Sequence, residues 1–530
     1  MTYYYRIAQF PQDAKRIHEL NYKTFVEEIP QHRPNENGLM VDRFHNENTY
    51  VLCLKEEEII GMIALRSTRP FSLDNKIGQI EDRLADPPKN PVEIRLLAID
   101  SAHRTGRAFF GLMQALVNWC LKAGHDAAVI SGTVRELKLY TRMGFVPFAE
   151  PVGTEEATYI PMIIVHDTFE QGAAKRLGLP MVNLLPGPVS IAESVQQALG
   201  KEPVSHRSPA YAQLLTSTTD MLKELTGANH LQLLQGTGTL ANDAVAAQLS
   251  RIAGKGLILV NGEFGRRLTD HAKRFGLSFD CSEKDWGKAF CMKQLEDQFQ
   301  SHHYDWVWFV HLETSTGIVN DLERLTKLAK ENGIRVAVDC ASSLGTIPVN
   351  LTKVDFASSV SGKGLASYAG LSFVCHHAEI EPDETLPRYL DLGLYGMKGG
   401  IPFTQSSNLL NALHQSLMNI LESPTQHFEH IYLQTQRLRE GIAHLGFRLL
   451  SAETASNSNV LTIELPPNES SKKLGDDLFL NGFRVHYESE YLTERNWLQL
   501  AVMNDVGDVA VERLLDVLKH LKKCRPTCLE

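Results

Sequence analysis

Four apolar runs in the second half of the chain, "GLILVNG", "DWVWFVHLE", "IRVAVDC" and "VDFASSV", constrain the fold more than any other feature. None alternates apolar with polar residues, so each reads as a strand buried on both faces, and helix-length segments separate them. Repeated strand–helix units of this kind make a mostly parallel sheet in an α/β domain. Ligands of such sheets bind beyond the carboxyl ends of the strands. Chemistry is therefore expected in the residues just after each run.

Residues 1–165 have a different texture. "TYVLCLK" and "EIIGMIALRST" read as a hairpin, and "VEIRLLAID" as a further strand. The helix "AFFGLMQALVNWCLKAG" comes next, with apolar residues at three- and four-residue spacing and Gly124 as its stop. "DAAVISG", the short helix "RELKLYTRMG" and the strands "FVPF" and "ATYIPMIIV" complete a mixed-sheet domain. The polar, helical stretch "DTFEQGAAKRLGL" predicts a linker over 166–182, and the Pro-Gly-Pro of "NLLPGPVS" marks a boundary. A large domain is then expected over 183–405, and a C-terminal helical and small α+β domain over 406–530.

A length of 530 residues fits two or three domains. The formal charge, 53 − 63 = −10, comes without a basic run, so neither nucleic acid nor an anionic membrane is an expected partner. No apolar stretch approaches the roughly eighteen residues that span a bilayer, and the N-terminus lacks a secretion signal. The eight cysteines (Cys53, Cys120, Cys281, Cys291, Cys340, Cys375, Cys524 and Cys528) are scattered, several inside apolar runs. Reduced thiols in a cytoplasmic protein are expected, with no disulfide framework. The terminal "CRPTC" reads as an exposed chain end rather than a metal pair, so no metal is expected.

Chemistry concentrates in three stretches. In "VDFASSVSGKGLASYAGLSFV", Lys363 stands among glycines and small residues, which suggests that a bulky group approaches its ammonium. Asp339 ends "IRVAVDC"; at the ligand edge of a sheet it would be a carboxylate wanting a cation, with a helix cap as the competing role. "LLQGTGTLANDAVAAQL" is a glycine-rich turn opening a helix, whose N–H groups at Thr237, Gly238 and Thr239 would face an anion. A lysine, a carboxylate and a phosphate cradle are what pyridoxal phosphate requires.

The segment from about 183 to 520 resembles the class V aminotransferases of the fold-type I pyridoxal-phosphate enzymes. "LLPGPVSIAESV", "LQGTGTLAND", "VNGEFGRR", "HLETSTGIVND", "VAVDCASSLGTIPV", "SGKGLASYAGLSFV" and "GIPFTQSSNLLNAL" carry the likeness in family order. The resemblance implies that Lys363 is the Schiff-base lysine and proton shuttle, and Asp339 the partner of the pyridine nitrogen. It makes Thr237, Gly238 and Thr239 the phosphate site, Phe264 the ring-stacking residue and Thr316 a neighbour of the ring oxygen. Thr404 would reach the phosphate of a second subunit, which implies a homodimer. Two departures stand out. Gly362 replaces the glutamine usual before the lysine, and Gln499, in "WLQLAVMND", replaces the arginine that forks a substrate carboxylate. Gln cannot make that charged fork, and Arg495 is the nearest candidate to compensate.

In the first half, the loop "HRTGRA" before the long helix resembles the acetyl-CoA loop of GNAT acyltransferases, with His103, Gly106 and Ala108 at its key places. "LYTRMGFVPF" matches a second stretch of that family, so Tyr140 would be the general acid for the departing thiolate. Glu93 is a candidate base acting through water, or simply a strand residue. Asp42 and Arg66 occupy places similar to those in acyltransferases that make N-acyl amino acids and acyl-homoserine signals, which suggests an acyl group longer than acetyl. Together the resemblances imply a bifunctional transferase. An aminotransferase takes an amino donor and a keto acceptor, and an N-acyltransferase uses acetyl-CoA or another acyl-CoA on the resulting amine. The alternative is a lyase or desulfurase carrying a regulatory acyl-CoA module; a desulfurase needs a mobile loop cysteine, whereas Cys340 and Cys375 stand at strand edges.

Overall fold

The computed structural model describes residues 3–523 apart from 30–31, 105, 155–156, 179–180 and 452–456; Cys524 and Cys528 lie outside the described residues. Contacts divide the chain into two compact units. The first is Met1–Val182 with Lys473–Arg484 and the chain from Asp516; the second is Asn183–Lys472 with Val485–Leu515.

The second unit is built on a seven-stranded sheet in the order His230–Gln235, Leu371–His376, Phe356–Val360, Arg335–Asp339, Trp306–Val310, Gly256–Val260, Phe279–Glu283. All four apolar runs are strands of it and run parallel to one another; only Leu371–His376 runs antiparallel to both neighbours. Alternate residues feed two separate cores. Leu257, Val307, Phe309, Val336 and Val338 join one, while Ile258, Trp306, Trp308 and Ala337 join the other. Both faces are covered, which is why these strands carry no polar alternation. A smaller antiparallel sheet of Arg448–Leu449, Val460–Glu464 and Trp497–Ala501 belongs to the same unit.

The first unit has an eight-stranded mixed sheet. Thr49–Lys55 and Glu58–Arg66 form the expected hairpin. Pro91–Ile99 and Ala127–Thr133 run parallel but pair only where 91–93 meet 127–129; beyond that they part. On its other side Pro91–Ile99 bulges: Met62 pairs Ala98 and Ala64 pairs Arg95, so Leu96 and Leu97 oppose a single residue, and Leu96 takes a φ of 51°. The helix Gly106–Lys122 covers one face through Ala108, Leu112, Ala115 and Leu116.

Two sequence expectations are corrected. The stretch 166–182 is helical as expected, at His166–Gln171 and Ala173–Leu177, but it is no free linker, because Ala174 and Leu177 enter the first unit's core. Nor is 406–530 one domain. Asn481 exchanges hydrogen bonds with the Tyr5 backbone (3.1 and 2.6 Å), Asp477 accepts from Ile7 N (2.9 Å), and Asp516 accepts from the Tyr4 hydroxyl (2.7 Å). These bonds tie C-terminal chain to the first strand. Among the described residues no helix is long and apolar enough to cross a membrane.

Candidate active sites

Lys363 lies on the turn between the antiparallel strands Phe356–Val360 and Leu371–His376. Its Nζ donates to Ser342 Oγ at 2.9 Å and stands 5.1 Å from the centre of the Phe264 ring. Burial lowers its pKa, opposed by the negative charges of Asp339 and Glu313 and reinforced by Arg267. Asp339 closes its strand and is buried; it accepts from Asn242 Nδ2 and Ala341 N, both at 2.8 Å. Asn242 is oriented in turn by Ser358 Oγ at 2.6 Å. Thr237 precedes the helix Gly238–Leu249 without a side-chain cap bond, which leaves the first turn's N–H groups for another acceptor.

Glu313 and Ser342, which sequence reasoning missed, organise this site. Glu313 is fully buried and accepts from Phe264 N (3.3 Å), Gly265 N (2.9 Å), Ser315 N (3.1 Å) and Ser315 Oγ (2.6 Å). It therefore caps the helix Glu263–Arg274 that carries Phe264, and burial raises its pKa. Ser342 links Lys363 to Thr314, whose Oγ1 lies 2.5 Å away. The polar "ETST" and "DCASS" stretches flanking two apolar strands were the available signal. Thr316 is buried and bonds to the Glu313 carbonyl of its own turn.

The small residues beside Lys363 serve the backbone first. A Cβ on Gly362 would stand 2.9 Å from Ala369 Cα, and one on Gly364 2.5 Å from the Leu344 carbonyl oxygen. Neither position admits a side chain without a shift of main chain, so the missing glutamine at 362 has a steric cause. Gln499 is likewise not held out to a substrate. It is fully buried, and its Nε2 donates to Thr314 O (2.7 Å), Ser315 O (3.0 Å) and Thr462 Oγ1 (2.9 Å), while Oε1 meets His486 Nδ1 at 3.1 Å. It pins the 314–316 turn. Arg495 lies over Trp286 at 4.0 Å and donates to Tyr491 O at 3.1 Å, so neither candidate stands as a free carboxylate fork. Thr404 is exposed and lines a separate cavity of about 680 Å³ with Arg207, Tyr389 and Phe403.

The first unit has its own cavity, about 1000 Å³, opening where Pro91–Ile99 and Ala127–Thr133 part. Its lining includes apolar Leu96, Leu97, Phe109, Met113 and Ile130 and charged Asp42, Arg43, Lys76, Glu93 and Arg95. Tyr140 and Tyr159 also reach it, and burial raises the pKa of both phenols. Glu93 is buried and accepts from Ser72 N (2.8 Å), Ser72 Oγ (2.7 Å) and Leu73 N (3.0 Å), so its carboxylate holds the turn at 72–73. Asp42 is forked by Arg95 at 2.9 and 3.0 Å. Arg66 is buried against Phe44, Glu47 and the Pro70 carbonyl. Gly106 begins the long helix and is exposed; a Cβ there would meet only the Phe110 ring at an ordinary 3.6 Å. His103 ends the preceding turn, and Ala108 is buried in the core, where its small size serves packing rather than ligand approach.

Residues 194–386 match the family model Aminotransferase class-V, and residues 16–166 match that of the N-acyl amino acid synthase FeeM. The soluble hydrogenase 42 kDa subunit of Anabaena cylindrica is 30% identical over 327 residues, covering 58% of this chain and 85% of that protein. The 2-aminoethylphosphonate–pyruvate transaminase of Pseudomonas entomophila (strain L48) is 26% identical, covering 64% of this chain and 97% of its own length. The solved alanine–glyoxylate aminotransferase from Nostoc sp. superposes with a TM-score of 0.59 at 27% identity, over 65% of this chain and 96% of that one.

The chain belongs to the class-V aminotransferase family.

This class-V aminotransferase therefore has a fold-type I body and carries an N-acyltransferase domain ahead of it; the lyase and desulfurase alternative is not favoured. Family membership implies pyridoxal phosphate and, for the first unit, an acyl donor. The residues present fit the cofactor. Asp339 is a buried carboxylate with two neutral donors and no cation within ion-pair distance among the described residues, and a protonated ring nitrogen would supply that cation.

Proposed function

We propose that the second unit forms an amine by transamination and the first unit caps its nitrogen with an acyl group. The observation that carries this reading is the convergence of Lys363, Asp339, Ser342 and Phe264 on one site, beside a chain that also owns an amphiphilic cavity reached by Tyr140. Pyridoxal phosphate, when bound, supplies the electron sink that lets an amino group move between carbon skeletons. Lys363 would be its covalent anchor and proton carrier, a role helped by a pKa that burial lowers. Asp339 would keep the ring nitrogen protonated, Phe264 would cover the ring face, and the N–H groups at Thr237, Gly238 and Thr239 would hold the phosphate at a helix start. Thr316 would lie toward the ring oxygen. Thr404, on a cavity apart from Lys363, serves the site of a second copy, so the working form is a homodimer.

The first unit works as a GNAT-type acyltransferase. Parted parallel strands, a bulge at Leu96 and a glycine, Gly106, that the protein's own packing does not demand support this reading. An acyl-CoA thioester lies with its pantetheine between the parted strands and its phosphates toward His103 and Gly106. The amine nitrogen attacks the thioester carbonyl, a C–N bond forms, the C–S bond breaks, the Tyr140 hydroxyl gives its proton to the departing thiolate, and the proton lost from the amine passes through water to restore the phenol. The raised phenol pKa keeps that proton available at neutral pH. The apolar residues in the cavity's lining favour an acyl chain longer than acetyl. We place this chemistry in the cytoplasm, where the free thiols of the described cysteines are stable.

A nitrogen-tracing experiment tests the sequence of steps. Full-length protein with pyridoxal phosphate, ¹⁵N-labelled alanine or 2-aminoethylphosphonate, a panel of oxo acids and aldehydes, and an acyl-CoA should yield a ¹⁵N-amide. Lys363→Ala should make no amide from the oxo compound but regain it when the matching amine is added. Amide formation from the oxo compound by Lys363→Ala would sink the reading, as would failure of the wild type to acylate any added amine.

A further inference from the structure

Gln499 fixes more than the turn it pins. Its Nε2 faces the carbonyls of Thr314 and Ser315 at 2.7 and 3.0 Å, and a carbonyl can only accept, so the amide nitrogen must lie on that side. The amide oxygen is thereby turned to His486, whose Nδ1 lies 3.1 Å from it. An amide oxygen only accepts as well, so Nδ1 carries the proton of this imidazole. The neutral ring then presents a bare Nε2, which has no hydrogen-bond partner among the described residues, on a side chain that is half-buried. Burial lowers the pKa of the ring and the Lys363 ammonium adds to this, against the Gln499 bond and the charge of Glu488.

One chain of bonds joins this ring to the Lys363 site. Lys363 Nζ donates to Ser342 Oγ at 2.9 Å, and Ser342 Oγ lies 2.5 Å from Thr314 Oγ1. The Thr314 carbonyl receives Gln499, and Gln499 receives His486. His486 is held a second time by its backbone, which exchanges both bonds with that of Gln499 at 3.0 and 2.8 Å. The nearby arginines are already committed: Arg267, over the Phe264 ring at 4.9 Å, pairs with Glu263 at 3.0 Å, and Arg495 pairs with Glu494 at 3.4 Å. A substrate group on this side therefore meets a lone pair, where a carboxylate would need a donor.

We infer that His486 Nε2 accepts a hydrogen bond from the amine substrate at the Lys363 site, so that the second unit prefers amines with a hydroxyl on the neighbouring carbon over α-amino carboxylates. This rests on the Lys363 site proposed above and adds to it a substrate class and the residue that sets it. A hydroxyl donates to the lone pair, whereas a carboxylate in its place sets acceptor against acceptor and leaves both unpaired.

Three amines of one skeleton test this: 2-aminopropan-1-ol, 2-aminopropane and alanine, which carry a hydroxyl, neither group, or a carboxylate. Full-length holoenzyme is titrated with each, and the absorbance change of the bound cofactor gives the affinity. Wild type should bind the alcohol about tenfold tighter than either of the others, the yield of one hydrogen bond in a partly dry site. In His486→Phe the alcohol's advantage over 2-aminopropane should vanish while 2-aminopropane keeps its wild-type affinity, which also reports an intact site. A second readout needs no cofactor. In full-length protein labelled with ¹⁵N-histidine, the NMR signal that His486→Phe removes should carry its proton on Nδ1 at neutral pH. Alanine bound as tightly as the alcohol by wild type, an advantage of the alcohol that survives His486→Phe, or a proton on Nε2 overturns the assignment. Conversion of the cofactor by all three amines without discrimination sinks this assignment alone, whereas a cofactor spectrum that none of them changes sinks the Lys363 site with it.

Discussion

Restoring the family's glutamine at position 362 should weaken cofactor binding rather than strengthen it. By family pattern, Gly362→Gln adds a contact near the cofactor. The structure argues the opposite, because the new Cβ would come within 2.9 Å of Ala369 Cα and 3.0 Å of Ala369 N and Cβ. That is several tenths of an ångström inside normal contact with main chain, which cannot swing aside as a side-chain tip can. Overpacking of this kind costs about 2 kcal/mol. The neighbouring chain has little freedom to yield: Ser361 N bonds Leu371 O at 3.0 Å, Ser367 N bonds Ser361 O at 3.1 Å, and Gly370 O receives Gly236 N at 2.9 Å. The last bond links this turn to the one that opens the helix Gly238–Leu249, so relief of the clash displaces Lys363, the 236–239 turn, or both. Gly362→Ala isolates the Cβ, and Gly362→Gln adds the rest. Absorbance titration with pyridoxal phosphate should show an affinity loss of roughly thirtyfold if the strain falls on the bound state. If it falls on the apoprotein, the melting temperature should drop instead. Unchanged affinity together with an unchanged melting temperature, or tighter binding in Gly362→Gln, would refute the reasoning.

Three more outcomes rest on the same geometry. Gln499→Leu leaves the Thr314 and Ser315 carbonyls without their buried donor and should cost about 3 kcal/mol; thermal melting should register this, and transamination should slow because the Thr314–Ser342–Lys363 chain loosens. His311, buried beside Ser343 with a pKa lowered to about 4, stays neutral when folded but takes up a proton on unfolding below its ordinary value near 6.5. Its contribution is complete above about pH 6.5 and lost as pH falls toward about 4, on the order of 3 kcal/mol. Denaturant melts across that range should be flatter for His311→Gln than for wild type, and parallel curves would refute the claim. Tyr140→Phe should lower kcat for amide formation by about a hundredfold with little change in donor KM, a loss that steady-state assays can separate from a binding defect.

The main sheet was legible because doubly buried strands leave an unbroken apolar signature, and Asp339 and the turn at 237–239 lie at their ends, where ligands of such sheets collect. Lys363 stood out for its small neighbours, but for a mistaken reason: Gly362 and Gly364 are small because Ala369 and Leu344 main chain passes close by. The role of Gln499 was not legible, since its partners at 314 and 315 lie far away in sequence and meet it only across the folded unit. Glu313, the last residue of the apolar run "DWVWFVHLE", carried no local sign that it would cap a helix, because the N–H groups it accepts from, Phe264 and Gly265, lie about fifty residues away. Chain that returns from the C-terminus to the first strand, through Asp477, Asn481 and Asp516, obeys no local pattern at all.

One lysine carries the central claim. Full-length protein incubated with pyridoxal phosphate, reduced with borohydride, digested and analysed by mass spectrometry should carry a pyridoxyl group on Lys363 alone, and none in Lys363→Ala. A pyridoxyl group on a different lysine, or its absence from a protein that still transfers amino groups, would contradict that claim.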